Sequence, residues 1–325
     1  MPYVKQPARR RSPVPDKNAP LEVVDPIWLV RAIALSLVGA LICGYATLCL
    51  LYYQGAWQLI LHPTHTIDQI PASVGLAFTD VRFDSSDTGQ PRLTGWWIAA
   101  ESPNGFGGRY AAFTVLYLHD GSGSLSNTVP MLARLHKAGL NVFAIDYRGF
   151  GASDASAHPS EFRMAQDAAA ALEYLTSTRH VPIEHVIPYG VGLGASLASD
   201  LASAHSELPV VILDNPDPDP GSTARAQDPG STARAQSARF IPTRLLMGHP
   251  FDISKSISGL KTPKLLIAGS PNSTSASRES GSLQSLFRHA ASPSFAVILP
   301  SGNYDVNYET ALSRFLDQYL PPTRR

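Results

Sequence analysis

The run Val186-Ile187-Pro188-Tyr189-Gly190-Val191-Gly192-Leu193-Gly194-Ala195-Ser196 decides how this chain folds. Its first half is apolar and reads as a buried strand, while its second half is built of small residues and reads as the start of a helix. Three alternate glycines join the halves, so the backbone has the freedom to turn sharply between them. A glycine triplet of this spacing also occurs in nucleotide-binding turns and is a weak motif alone. The neighbouring segments decide between the two readings.

Outward from this turn, short apolar runs alternate with helical patterns. Phe113 to Leu118, Asn141 to Ile145, Leu208 to Leu213 and Phe295 to Leu299 read as buried strands. Met131 to Ala138 is helical, Glu161 to Thr178 carries Phe162, Ala165, Ala169, Leu172 and Leu175 at amphipathic spacing, and Tyr308 to Tyr319 is the last helix. Phe78 to Phe83 and Leu93 to Ile98 alternate in hydropathy about a turn and read as a hairpin. Strands alternating with helices predict an α/β fold, a mostly parallel sheet flanked by helices.

The chain has 325 residues, 44% hydrophobic and 16% charged, enough to bury a sizeable core. Its 26 basic and 26 acidic residues balance, so no basic face points to a nucleic-acid partner. Residues 1 to 26 are proline-rich, carry Lys5, Arg9, Arg10, Arg11 and Lys17, lack apolar periodicity and read as a disordered basic tail. From Ala32 to Tyr53 there is no charge, and a helix over about 27–54 is long enough at ~1.5 Å per residue to cross a hydrocarbon core of about 30 Å. Trp28, Tyr52, Tyr53 and Trp57 are its interfacial aromatics. A cleaved signal peptide has a shorter apolar core, of roughly 7–15 residues. Lys and Arg crowd the N-terminal flank, Arg31 included, and none occurs between Ala32 and Val81, which predicts a cytoplasmic tail and an extracytoplasmic domain over 55–322. The bilayer is therefore one expected partner. Both cysteines, Cys43 and Cys49, lie in the apolar run and do not fix the compartment.

The motifs carry a family resemblance. Tyr189 to Ala198 resembles the Y-G-x-S-L-G-G-x-x-A run of the α/β-hydrolases, centred on the nucleophile elbow G-x-S-x-G. His119-Asp120-Gly121-Ser122-Gly123-Ser124-Leu125-Ser126 resembles their H-G-N-x-G-N-L-S loop, and Asp146-Tyr147-Arg148-Gly149-Phe150-Gly151-Ala152-Ser153 matches D-Y-R-G-x-G-x-S. Tyr53 to Pro63 resembles the juxtamembrane stretch of the BEM46-like, membrane-anchored branch. The resemblance covers about residues 55 to 320. It implies an oxyanion hole at Asp120, Gly121 and Leu193, and structural roles for His119, Asp146, Arg148, Gly190 and Gly194.

The same resemblance exposes what has changed. Gly192 takes the place of the serine, Asn272 that of the triad acid, and Tyr304 that of the histidine, with Asn303 one residue of slip away. Glycine offers no nucleophile, a phenol is a poor base at neutral pH, and an amide does not stabilise an imidazolium. Asp120 replaces the loop's glycine. Pointing inward its carboxylate would oppose developing negative charge; pointing outward it would be inert. The expectation is a pseudo-hydrolase binding a small apolar ligand or a protein partner, against two alternatives. One is an active hydrolase of esters or peptides using other residues, such as Ser122 with His119; the other is an anchored module alone. No cofactor is expected, and His62 with His65 lacks the further ligands a metal site needs. Residues 219–236 hold a nine-residue sequence twice over, inside a surface insertion at about 215–258 that reads as a passive loop.

Overall fold

The computed structural model describes residues 25–85, 91–100, 109–155, 158–218, 220, 251–269, 276–300 and 303–320. The basic tail, most of the insertion with its tandem copies, and Asn272 lie outside them. The chain divides into two units, Met1–Leu51 and Tyr52–Arg325.

The described part of the first unit is helical. Helix α1 runs from Pro26 to Gly55, and its apolar side chains are exposed on every side, Leu35 and Leu41 among them. A helix that is apolar all round requires apolar surroundings. It is long and apolar enough to cross a membrane.

The second unit is built on one eight-stranded sheet. In chain order its strands are β2 (Thr79–Asp84), β3 (Pro91–Ile98), β4 (Thr114–Leu118), β6 (Asn141–Asp146), β7 (Val186–Val191), β8 (Val211–Asp214), β9 (Lys264–Ala268) and β10 (Ser294–Ile298). Across the sheet the order is β10-β9-β8-β7-β4-β6-β3-β2; β3 runs antiparallel to both neighbours and every other pairing is parallel. Two further strands, β1 (His62–Pro63) and β5 (Ser122–Gly123), pair in parallel apart from it.

Alternation within the strands separates two cores. Leu116 and Leu118 of β4 face α3 (Glu161–Glu173), α4 (Gly194–Ala204), α5 (Ile253–Gly259) and α6 (Ala276–His289). Val115 and Tyr117 face α2 (Val129–Lys137) and α7 (Tyr304–Tyr319). A strand covered on both faces must be apolar throughout, and β4 is buried at all five positions.

Three sequence expectations shift. The regular α3 stops at Glu173, with a π-helical turn from Tyr174 to Thr178. Its buried stripe is Met164, Ala168, Ala171, Leu172 and Leu175, while Phe162 is 72% exposed and Ala169 also faces solvent. Asp167 on the same helix is buried and pairs with Arg148. The last helix begins at Tyr304, not Tyr308.

Buried Lys264 straps the far side of the sheet, donating to the carbonyls of Leu260 (2.8 Å), Ala291 (2.6 Å) and Pro293 (3.3 Å). Burial lowers its ammonium to about 8. Lys264→Met takes the ammonium from the Leu260 and Ala291 carbonyls, while the Pro293 carbonyl keeps the backbone N–H of residue 264 at 3.2 Å, and we expect a loss of about 2 kcal/mol in urea unfolding, since unsatisfied buried acceptors carry their desolvation cost.

Candidate functional site

At the end of β7 the chain turns on Gly192, whose φ of +56° lies in the left-handed region. A side chain there is strained, and glycine is not. The Gly192 N–H donates to the Asp214 carbonyl at 2.9 Å, and its own carbonyl accepts from Ala195 N–H at 3.2 Å. Gly190 and Gly194 stand back to back: a β-carbon on Gly190 would overlap the Gly194 carbonyl, and one on Gly194 would overlap the Leu118 carbonyl. This contact lets β7, α4 and β4 meet at one point.

The loop after β4 closes over that turn. Tyr147 Oη donates to the His119 carbonyl at 3.1 Å. Residues 62–64 zip along the loop, with His62 N–H on the Gly121 carbonyl (2.7 Å) and Thr64 N–H on the Gly123 carbonyl (2.9 Å). Thus held, the loop aims Asp120 inward. Its Oδ1 accepts the N–H of Gly121 at 2.7 Å and the N–H of Leu193 at 2.9 Å. Burial raises the Asp120 carboxyl, while the Leu193 and Gly121 N–H groups lower it; Asp217 raises it and His62 lowers it.

His119 is buried, and burial lowers its imidazole to about 4. Nδ1 sits 2.6 Å from the Asp120 carbonyl and therefore carries the proton, leaving Nε2 bare at 3.7 Å from Asp146 Oδ1. A neutral imidazole makes this a polar contact and not an ion pair. Burial raises Asp146 to about 6, and its Oδ1 accepts the Leu125 N–H at 2.9 Å. Arg148 donates through Nε to Asp167 Oδ1 at 2.6 Å and through its backbone N–H to Oδ2 at 2.8 Å.

A second buried network lies beneath the turn. Tyr308 Oη donates to Tyr189 Oη (3.0 Å), Tyr189 Oη to Asp214 Oδ2 (2.6 Å), and Asn215 Nδ2 to Asp214 Oδ1 (3.0 Å). Asn215 also exchanges hydrogen bonds of 2.9 Å with the backbone of Gly269. The sequence itself sets Asp214 and Asn215 at the end of the strand that follows the elbow helix, near the site, whereas Asp167 carries no motif of its own.

Burial raises Asp214 to about 6 from 3.8. A folded-state value above the unfolded one gives a contribution present below pH 3.8 and lost as pH rises through about 6. Relative to Asp214→Asn, wild type should therefore lose thermal stability between about pH 4 and pH 6, as melting midpoints across that range would show.

Tyr304, at the expected histidine position, opens α7 and is buried, stacking on Tyr308 with ring centroids 6.1 Å apart. The Arg134 guanidinium lies 5.6 Å above its ring. Asn303 precedes it with φ +64°. Ser196 Oγ donates to the Leu193 carbonyl at 2.9 Å, back along its own helix. Ser122 is opposite His62 in the β1–β5 pairing, and among the described residues no hydrogen bond joins it to His62 or His119. A groove between β10 and α7, lined by Phe295, Val297 and Phe315, lies apart from Asp120, Gly192 and Tyr304. Among the described residues no group of three metal-ligating side chains assembles.

Comparison with known proteins places this arrangement. Residues 111–247 match the family described as Serine aminopeptidase, S33. An uncharacterized protein of Mycobacterium tuberculosis is 31% identical over 212 residues, covering 65% of this chain and 68% of that protein. The chain belongs to the α/β-hydrolase superfamily. Within it the chain is BEM46-like: protein bem46 of Schizosaccharomyces pombe is 33% identical over 104 residues, 31% of this chain and 34% of that protein. The Arabidopsis thaliana alpha/beta hydrolase domain-containing protein WAV2 is 29% identical over 147 residues, 45% and 44% of the two chains. The matches thus span less than half the length of these two relatives. An esterase of Pyrococcus furiosus superposes with a TM-score of 0.60 at 19% identity, over 81% of this chain and 98% of that one, a likeness of fold.

Proposed function

We propose that this BEM46-like protein is a membrane-anchored pseudo-hydrolase, whose old catalytic pocket serves binding and not acyl transfer. One observation carries the reading: the Asp120 carboxylate accepts both N–H groups, Gly121 and Leu193, that would receive a developing oxyanion. Transition-state stabilisation of acyl transfer needs those donors aimed at the reacting oxygen. Here they hold a carboxylate. Gly192 adds no nucleophile, and Tyr304 adds no base at neutral pH.

Helix α1 would anchor the protein, with its basic tail in the cytoplasm and the α/β domain on the other side, as the one-sided distribution of Lys and Arg supports. The pocket's occupant would be a small apolar molecule or a segment of a partner protein. Purified full-length protein should show no p-nitrophenyl ester turnover above the buffer rate and no covalent labelling by a fluorophosphonate. Labelling that a single serine substitution abolishes would establish the rival reading, an active serine hydrolase.

A further inference from the structure

Phe162 stands in the first turn of α3 with most of its ring in the open. One exposed apolar side chain is ordinary on a protein surface. The neighbours of this one set it apart. Arg163, the next residue, donates through Nη1 to the His158 carbonyl at 2.7 Å, and the His158 ring stacks on Trp57 with centroids 5.5 Å apart. Trp57 lies in the single turn Ala56–Leu59, two residues beyond Gly55, the last residue of α1. Two residues of chain span at most ~7 Å. One hydrogen bond and one ring stack therefore tie the first turn of α3 to the place where the chain leaves its apolar helix. From Tyr52 onward all of these residues belong to the second unit.

The charges around the ring agree with a lipid surface. Glu161 turns inward and accepts the Phe251 N–H at 2.6 Å, so its carboxylate is engaged within the domain. Arg163 Nε and Nη2 donate to no described residue. An aromatic ring beside a guanidinium with unused donors suits the boundary between acyl chains and phosphate headgroups. Tryptophan suits it too, which is why such rings collect at both ends of spanning helices. The segment after Trp57 runs along the loop that follows β4, and the Thr64 carbonyl accepts the Gly151 N–H at 2.8 Å, so the patch lies at the carboxyl edge of the sheet. Ile67 and Ile70 further along that segment are exposed as well, with Asp68 between them.

We propose that the first turn of α3 rests in the headgroup layer of the bilayer that α1 spans, with the Phe162 ring at the acyl boundary and Arg163 on lipid phosphates. This names the bilayer as the partner of the domain itself, and it rests on the reading that α1 is an anchor. A protein partner would have to find the patch by diffusion, whereas the short tie to α1 keeps the lipid surface always within reach. The carboxyl edge of the sheet, with the elbow, then faces the membrane.

The test uses full-length protein bearing Cys43→Ala and Cys49→Ala, with either Phe162→Cys or Ser206→Cys labelled by a nitrobenzoxadiazole thiol reagent. It is reconstituted into phosphatidylcholine–phosphatidylglycerol vesicles that contain a nitroxide-labelled phosphatidylcholine. Ser206 is exposed in the turn between α4 and β8, at the amino edge of the sheet, and the six residues of β7 put about 20 Å between the two edges. Quenching at position 162 should exceed that at 206 by about threefold or more, with blue-shifted emission, because an interfacial side chain sits roughly 5–10 Å into the headgroup and acyl boundary. Equal quenching at the two positions overturns the proposal. So does a blue-shifted label at 162 that the nitroxide leaves unquenched, which would put the ring against protein, a second copy of this chain included. Flotation of the same vesicles after an alkaline wash keeps the two readings apart. Protein that floats while position 162 stays unquenched refutes this contact alone; protein that washes off refutes the anchor, and the contact with it.

Discussion

Gly192→Ser should destabilise the domain by about 2–6 kcal/mol and yield no esterase. Two costs add. The left-handed backbone at φ +56° strains any side chain by roughly 1–3 kcal/mol. The new β-carbon also collides with the Asp120 carboxylate, and overpacking of this kind typically costs about 1–3 kcal/mol. Only the second cost depends on Asp120. The double variant Asp120→Gly/Gly192→Ser should therefore be more stable than the sum of its single changes, a coupling readable in a double-mutant cycle. Additive effects would show that the two residues do not compete for one space. Even the double variant should hydrolyse no ester, because a hydroxyl at the elbow still lacks an imidazole to take its proton.

Asp167→Ala should cost more than any other side-chain truncation near the site. Asp167 is fully buried, and the Arg148 side chain is 2% exposed. Removing the carboxylate takes the Nε acceptor from a buried guanidinium that also reaches Gln166 Oε1 (2.9 Å) and the Arg163 carbonyl (3.3 Å), and it strips the acceptor from the Arg148 backbone N–H. Breaking one side of a buried pair costs about 3–5 kcal/mol. Denaturant unfolding measures it directly, and a loss under about 1 kcal/mol would mean that water or another carboxylate reaches Arg148. The pair braces the loop that carries Asp146 and Tyr147, so in native-state hydrogen exchange the Leu125 amide, held by Asp146 Oδ1, should lose protection as well.

Much of the architecture was legible because it is local. The strands β4, β6, β7 and β8 are short apolar runs ended by polar or glycine residues, and period-two alternation in β4 already sorts its side chains onto two faces. The elbow was legible for the same reason, since three glycines in five residues permit the sharp turn their own backbone makes. In α3 apolar spacing found Leu172 and Leu175, which are buried, and Ala165, which packs on the core, but also favoured Phe162 and Ala169, which face solvent, while Asp167, paired with Arg148, is buried. The start of α7 was misplaced because Tyr304 finds its burial beside Tyr308, a contact that the histidine-turn pattern does not contain.

By itself the sequence determined what is absent at the elbow, for no arrangement of the chain can put a hydroxyl on Gly192. It also determined the apolar helix and the order of strands and helices, which follow from composition and period. The orientation of Asp120 was a tertiary decision. A loop carboxylate points wherever its donors lie, and one of its donors, Leu193 N–H, belongs to the residue just before α4, 73 residues further along the chain. Only when β4 and β7 pair side by side do the two N–H groups converge on a single oxygen.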